Sequence, residues 1–250
     1  MAHFYLDETL IAPSEGANAV VALRGADARH AVTVARLRAG ERLRVGDGAG
    51  LVIEGVVLQS DPAEVLVRAD HVEHEPVPSP RLTLVQALAK GDRDELAVQA
   101  ATELGVDAIL PWQSARSISR WEGVKAEKNR ARWQAIVREA SKQAVRAHVP
   151  LVSPMVGLGA LLQRLEGHPV TVLVLDPIGD TALAALDAAE LAGVDEIVLI
   201  VGPEGGIAPE ELSALERAGA RPVRLGTTVL RTSTAGPAAI AVLSVALGRW

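Results

Sequence analysis

Residues 196–219 read EIVLIVGPEGGIAPEELSALERAG, and this stretch decides the fold class. The run from Ile197 to Val201 is apolar, rich in β-branched residues and without polar alternation, so it predicts a strand buried on both faces. Gly202-Pro203 stops the run. Pro209 then opens a helix with Glu210 and Glu211 in its first turn, where the helix dipole favours acids. Strand, glycine turn and helix are also the parts of a phosphate-binding junction. Here, however, Glu204 stands among the glycines and would repel a phosphate. A ligand that is neutral or cationic at this point fits better.

The same alternation extends outward. LTLVQAL (82–88), DAILPW (107–112), VTVLVLDP (170–177) and RPVRLG (221–226) read as strands. DELAVQAATEL (94–104), residues 123–147 and an Ala-rich segment from about Thr234 read as helices. In the long basic helix Trp133, Ile136, Val137 and Ala140 share one face. Apolar strands alternating with helices predict an α/β domain with a parallel sheet covered on both faces.

Residues 1–75 have a different rhythm. VVALRG, RLRVGDGAG, LVIEGVVL and AEVLVRADHV are short strand patterns with Asp-Gly and Gly-rich turns between them, which predicts a small β-barrel. HEPVPSPR (74–81) carries three prolines and no periodicity. The expected organisation is therefore a barrel over 1–75, a linker over 76–80 and the α/β domain over 81–250.

Composition sets the class. Of 250 residues 49% are hydrophobic and 22% charged, as in a folded globular chain, and there is no cysteine for a disulfide, thiolate nucleophile or Cys-based zinc site. No apolar run approaches the roughly 18 residues of a membrane span. MAHFYLDETLIAP has acids early and no signal-type core, so a cytoplasmic location is expected. The net charge of −6 hides two basic stretches. Arg116 to Arg146 holds nine Lys/Arg against three acids, and Arg24 to Arg44 six Arg against two. That asymmetry suits a protein with one basic face, or solvated helix faces.

Ligands of α/β sheets bind beyond the carboxyl ends of the strands. Three such ends stand out: LVLDPIGD (173–180), with main-chain groups around Leu175 and Asp176; VGPEGG (201–206); and LGTTVLRTSTAG (225–236). Neither GxGxxG nor GxxxxGK[ST] is present, and neither is Gly-x-Ser-x-Gly. The six histidines (His3, His30, His71, His74, His148, His168) are scattered, so no metal site is expected. In the third end Ser233 or Thr234 is a candidate helix cap with Pro237 in the first turn. Capping leaves Arg231 unexplained. Chemistry at such a site rests on aligned substrates, not on a covalent intermediate.

Four segments together carry a specific resemblance: ATELGVDAILPWQSARS, RWQAIVREASKQAVRAHVP, VGPEGGIAPEEL and LGTTVLRTSTAGPAAIAVL. With RHAVTVARLRAGERLRVGDGAG near the start, they resemble the 16S ribosomal RNA (uracil-N3)-methyltransferase family of the SPOUT superfamily. The likeness runs in order from about His30 to Leu243. It implies an N-terminal PUA-like β-barrel for RNA and a C-terminal SPOUT α/β domain with a trefoil knot and parallel sheet. It also implies a homodimer, S-adenosylmethionine as methyl donor and N3 of one uridine in 16S rRNA of the small subunit as acceptor, at position 1498.

Carried over residue by residue, the resemblance makes Leu175, Asp176, Gly202, Pro203, Glu204, Gly205 and Gly206 part of the cofactor site. Leu225, Gly226, Leu230, Arg231, Thr232 and Thr234 form its other wall. Arg231 is the expected catalytic residue, because its charge can stabilise the negative charge that develops on the uracil oxygens. Lys90, Arg93, Arg116, Arg120 and Arg146 in the catalytic domain, and Arg36 and Arg38 in the barrel, are the expected RNA contacts. Three positions depart from the family pattern. Ser233 replaces a carboxylate, Val34-Ala35-Arg36 stands for Val-Leu-Arg, and Ala208 takes the place of a capping Ser or Thr. A nucleotide-binding enzyme of another kind and a non-catalytic RNA-binding or assembly protein remain the alternatives.

Overall fold

The computed structural model describes residues 3–14, 16, 18–166 and 169–250. His168 lies outside them. The chain divides into two compact units, Met1–Val77 with Ser141–Val149, and Pro78–Ala140 with Pro150–Trp250.

The first unit is built on β1 (His3–Leu6), β2 (Val20–Arg24), β3 (Arg42–Gly46), β4 (Leu51–Ser60) and β5 (Glu64–His74), in the sheet order β1-β3-β4-β5-β2. Along β5, Val65, Val67 and Ala69 are buried at every second position, as a strand with one core face requires. Register shifts at Glu54/Gly55 and Val57/Gln59 bend β4 against β5 and curl the sheet. The core gathers Leu23, Leu43, Val45, Ile53 and Val67. It also takes Ala28 and Ala31 from a short helix, α1 (Gly25–Thr33), where the sequence reading had placed only strands.

The segment Ser141–Val149 belongs to this unit through specific contacts. Lys142 Nζ lies 2.6 Å from Oδ1 of the buried Asp27. Ala147 packs with Phe4, Leu6 and Val52, and its carbonyl accepts from Gly50 N at 3.2 Å.

In the second unit β6 (Arg81–Ala87), α2 (Arg93–Glu103), β7 (Ala108–Trp112), α3 (Val124–Gln143), β8 (Leu151–Val152) and α4 (Leu158–Leu165) come first. Next are β9 (Val170–Leu175), β10 (Thr181–Ala182), α5 (Ala188–Ala192), β11 (Glu196–Val201), α6 (Pro209–Arg217), β12 (Arg221–Arg224) and α7 (Thr232–Ala246). The seven strands pair in parallel in the order β10-β12-β9-β11-β6-β7-β8. All six residues of β11 are buried, as its unbroken apolar run predicts. One face of the sheet packs Val85, Val174, Val198 and Ile200 against Leu161 and Leu165 of α4 and Leu215 of α6. On the other, α7 packs against α2, β6 and β11. The α/β expectation with a covered parallel sheet therefore holds.

Candidate functional site

β9, β11 and β12 point the same way, so their carboxyl ends bring Leu175-Asp176, Gly202–Gly206 and Leu225–Leu230 to one edge of the sheet. The chain lays β6, β7 and β8 outward in one direction and β9 and β11 on the other side of β6. The order thus reverses between β6 and β11, the kind of switch point where open α/β sheets leave a crevice.

The turn after β11 is held tightly. A Cβ on Gly202 would come within 2.7 Å of Ile207 Cγ1, so only glycine lets the chain fold back here. Gly206 adopts φ +69, and its N–H closes the turn on Pro203 O at 2.9 Å. Glu204, whose partner the sequence left open, reaches across to the loop after β6. Its Oε1 accepts from Arg93 Nη1 at 2.9 Å and from Lys90 N at 3.1 Å. Burial alone would raise this carboxyl, but main-chain donors and the Arg93 guanidinium hold it below the usual carboxylate value. Arg116 Nη1 donates to Gly205 O at 3.0 Å, fastening the same turn to the loop after β7. Glu211 adds a third tie, accepting from Ala115 N at 2.8 Å. Ala208 has no side-chain cap to offer α6, as expected, and Glu211 Oε2 reaches back to its N–H at 3.4 Å.

At the third strand end the structure corrects the capping assignment. Helix α7 begins at Thr232 with Arg231 in the N-cap position, so Ser233 and Thr234 lie inside the first turn and Pro237 in the second. The Thr232 hydroxyl is used for tertiary structure. It donates to Gly202 O at 2.8 Å and accepts from Gln86 Nε2 at 2.9 Å. Among the described residues, the N–H groups of Gly226 to Arg231 find no protein acceptor. Arg231 is exposed, and its guanidinium makes no hydrogen bond or ion pair among those residues. Ile178, Val229 and Leu230 expose apolar side chains from two of the three strand ends.

The basic residues separate by circumstance. Arg93 and Arg116 spend their guanidinium groups on the Glu204 turn, and Arg120 donates to Ser114 O and Ala115 O. The Lys90 side chain is exposed, as are Arg36 and Arg38 at the end of α1. Arg36 holds φ +57, an uncommon conformation for a residue other than glycine. Arg146, expected in the second domain, falls in the segment that packs with the first unit.

Two residues near the site were not singled out from sequence. Gln86 is fully buried at the end of β6; a lone amide in the apolar run LTLVQAL was its only signal. Asp94 lines a cleft of about 270 Å³ with Lys90, Ser119, Trp121 and Asn129. Burial pushes its carboxyl up to about 6, against hydrogen bonds from Ala89 N and Glu95 N. Among the described residues no group of His, Asp or Glu is placed to hold a metal ion, and no helix is long and apolar enough to cross a membrane.

Known proteins agree with this architecture. The family model for an RNA methyltransferase domain matches residues 76–244, and that for an RNA methyltransferase PUA domain matches residues 23–69. Ribosomal RNA small subunit methyltransferase E of Mycobacterium tuberculosis is 43% identical over 250 residues, covering 99% of this chain and 92% of that protein. The Bacillus subtilis protein of the same name is 30% identical over 227 residues, covering 89% and 88%. A crystal structure of the Neisseria gonorrhoeae protein of that name, bound to S-adenosyl methionine, superimposes with a TM-score of 0.83 at 32% identity, covering 98% of this chain and 97% of that one. With a family model spanning most of its second unit and such identity along nearly its whole length, the chain belongs to the ribosomal RNA small subunit methyltransferase E family.

Proposed function

We propose that this chain transfers a methyl group from S-adenosylmethionine to N3 of one uridine of 16S rRNA, the uridine at position 1498 by family resemblance. The observation that carries the reading is the meeting of three strand ends around unpaired main-chain donors, with an unpaired Arg231 beside them. The residues present fit the cofactor. Free N–H groups from Gly226 to Arg231 suit the acceptor nitrogens and hydroxyls of a nucleoside, exposed Leu230 suits its apolar faces, and Gly202 and Gly206 keep the main chain bare. No phosphate has to sit near Glu204.

When bound, S-adenosylmethionine supplies a methyl group on a sulfonium sulfur that leaves in a direct displacement. The protein aligns the two reactants. Arg231 stabilises the negative charge that grows on the uracil oxygens as N3 loses its proton. Glu204, held ionised in its pair with Arg93, is a poor proton acceptor, so the proton departs to solvent. The target base leaves its stack to reach the site. Exposed Arg36, Arg38 and Lys90 supply phosphate contacts, which position the RNA without reading its sequence.

The reading includes a homodimer acting in the cytoplasm on the small ribosomal subunit, and a trefoil knot in the second unit. Supporting the knot, the chain leaves β12 and returns past Gly202 to pack α7 on β6 and β11. Supporting the dimer, Ile178 and Val229 are apolar and uncovered in the single chain.

The test is transfer of labelled methyl to 30S subunits from cells lacking this activity, followed by mapping of the modified nucleotide. Label on N3 of a single uridine is the expected result. RNA binding without methyl transfer would instead establish the assembly-protein reading.

A further inference from the structure

Gln86 lies at the end of β6, opposite Val201 of β11, with no solvent exposure. Its Nε2 donates to Ala87 O at 3.1 Å and to Thr232 Oγ1 at 2.9 Å. The Thr232 hydroxyl passes its own proton to Gly202 O at 2.8 Å. The polarity of this chain is fixed. Carbonyl oxygens of Gly202 and Ala87 only accept, so the hydroxyl must donate to Gly202 and the amide nitrogen must face both Thr232 and Ala87.

Among the described residues, that orientation leaves Gln86 Oε1 buried with no donor. A buried acceptor without a partner is destabilising, and an apolar side chain of the same shape avoids the cost. The same side chain donates to Ala87 O and Thr232 Oγ1, so the two effects offset each other and the net contribution of the carboxamide to stability is small. Residues that break a local rule of folding tend to be those that shape a functional site. The Thr232 hydroxyl joins two of the three strand ends, and the carboxamide holds that hydroxyl. Through Thr232 it fixes the first residue of α7, and so Arg231 at the N-cap; through the Gly202 carbonyl it fixes the start of the Glu204 turn.

We propose that Gln86 is a positioning residue for methyl transfer, acting through Thr232 to hold the Gly202 turn and Arg231 in register around the cofactor. The inference rests on the function proposed above. Small displacements of groups that align reactants cost large factors in rate, so the effect belongs in cofactor affinity and turnover.

The experiment compares wild type with Gln86→Met, Thr232→Val, Thr232→Ser and the Gln86→Met/Thr232→Val double variant. It measures the S-adenosylmethionine dissociation constant by calorimetry, kcat and KM on 30S subunits, and the melting temperature. Gln86→Met is expected to melt close to wild type while losing tenfold or more in cofactor affinity or kcat. Thr232→Ser, which keeps the hydroxyl, stays within twofold, and the double variant is no worse than the worse single one, as members of one relay behave. Gln86→Met within twofold of wild type in both affinity and kcat overturns the relay. So does a Gln86→Met protein that fails to fold, because the carboxamide is then structural. A wild-type chain that binds no S-adenosylmethionine overturns the proposed function and the relay with it.

Discussion

Arg93 Nη1 lies 2.9 Å from Glu204 Oε1, tying the loop after β6 to the turn after β11. Both partners are partly solvent-exposed, so the pair contributes about 1 kcal/mol or less to stability. Its larger effect is on loop geometry. Glu204→Gln is expected to weaken S-adenosylmethionine binding several-fold and to lower the melting temperature slightly at pH 7. The carboxyl is held below 4.5 in the folded chain, so its contribution is complete above that pH and fades as pH falls through the folded value. Melting curves of wild type and Glu204→Gln should therefore converge below about pH 4.5. A difference that widens with acid would contradict the assignment.

Arg231→Ala removes the exposed guanidinium at the head of α7 and, among the described residues, no hydrogen bond or ion pair. Turnover should fall on the order of 100-fold or more, the scale for losing one preorganised charge-stabilising group. Calorimetric affinity for S-adenosylmethionine, measured separately, should change much less. Unchanged turnover would remove Arg231 from the reaction.

Asp94 behaves in the opposite sense to Glu204. Its folded value of about 6 lies above the ordinary 3.8, chiefly because burial disfavours the charged form. Its protonated form therefore favours folding below about pH 3.8, and that advantage is lost as pH rises through 6. Ionisation at neutral pH then costs the fold on the order of 2–3 kcal/mol. Asp94→Asn should be more stable than wild type at pH 8, with the gap closing by pH 4. Denaturant titrations across that range give the answer, and a constant gap would rule the linkage out.

Lys142 Nζ meets the carboxylate of Asp27 at 2.6 Å, and Asp27 is almost wholly buried. Removing the ammonium takes this 2.6 Å contact away from a buried carboxylate. Lys142→Ala should destabilise the first unit by about 3 kcal/mol. The double variant with Asp27→Asn should recover part of the loss. Equal stability of wild type and Lys142→Ala in denaturant would show that the pair is not a structural tie.

Long, strongly patterned segments were legible in the sequence. The run Ile197–Val201 is a buried strand, and Pro209 opens a helix, because burial on two faces and first-turn chemistry leave local marks. Helix α1 left few. Its buried side chains are small, Ala28 and Ala31 among them, so apolar contrast along its nine residues is weak. The start of α7 was read two residues late because serine and threonine are good caps. Here the Thr232 hydroxyl is committed to Gly202 instead.

Pairings across the fold were the least legible part of the site. Glu204 and Arg93 are 111 residues apart, and no periodicity links them. Their meeting follows from the parallel order of β6 beside β11. The three strand ends could be named in advance, since each is a local junction. Which side chains bind them together could not, because that depends on strand order. Likewise the prolines near residue 78 mark a boundary, yet nothing in the continuous helix α3 signals that Ser141–Val149 packs with the first unit.

The bond between Gln86 and Thr232 spans 146 residues, and β6 finds its neighbour β11 only after more than a hundred further residues have been made. During synthesis the edge of β6 that pairs with β11 therefore stays unpaired until residues 196–201 have been made. Chains broken off before Thr232 lack Arg231's helix and the closing hydroxyl together. A chain that stops just before Thr232 holds all seven strands of the sheet yet lacks the helix and the hydroxyl that tie down Gly202.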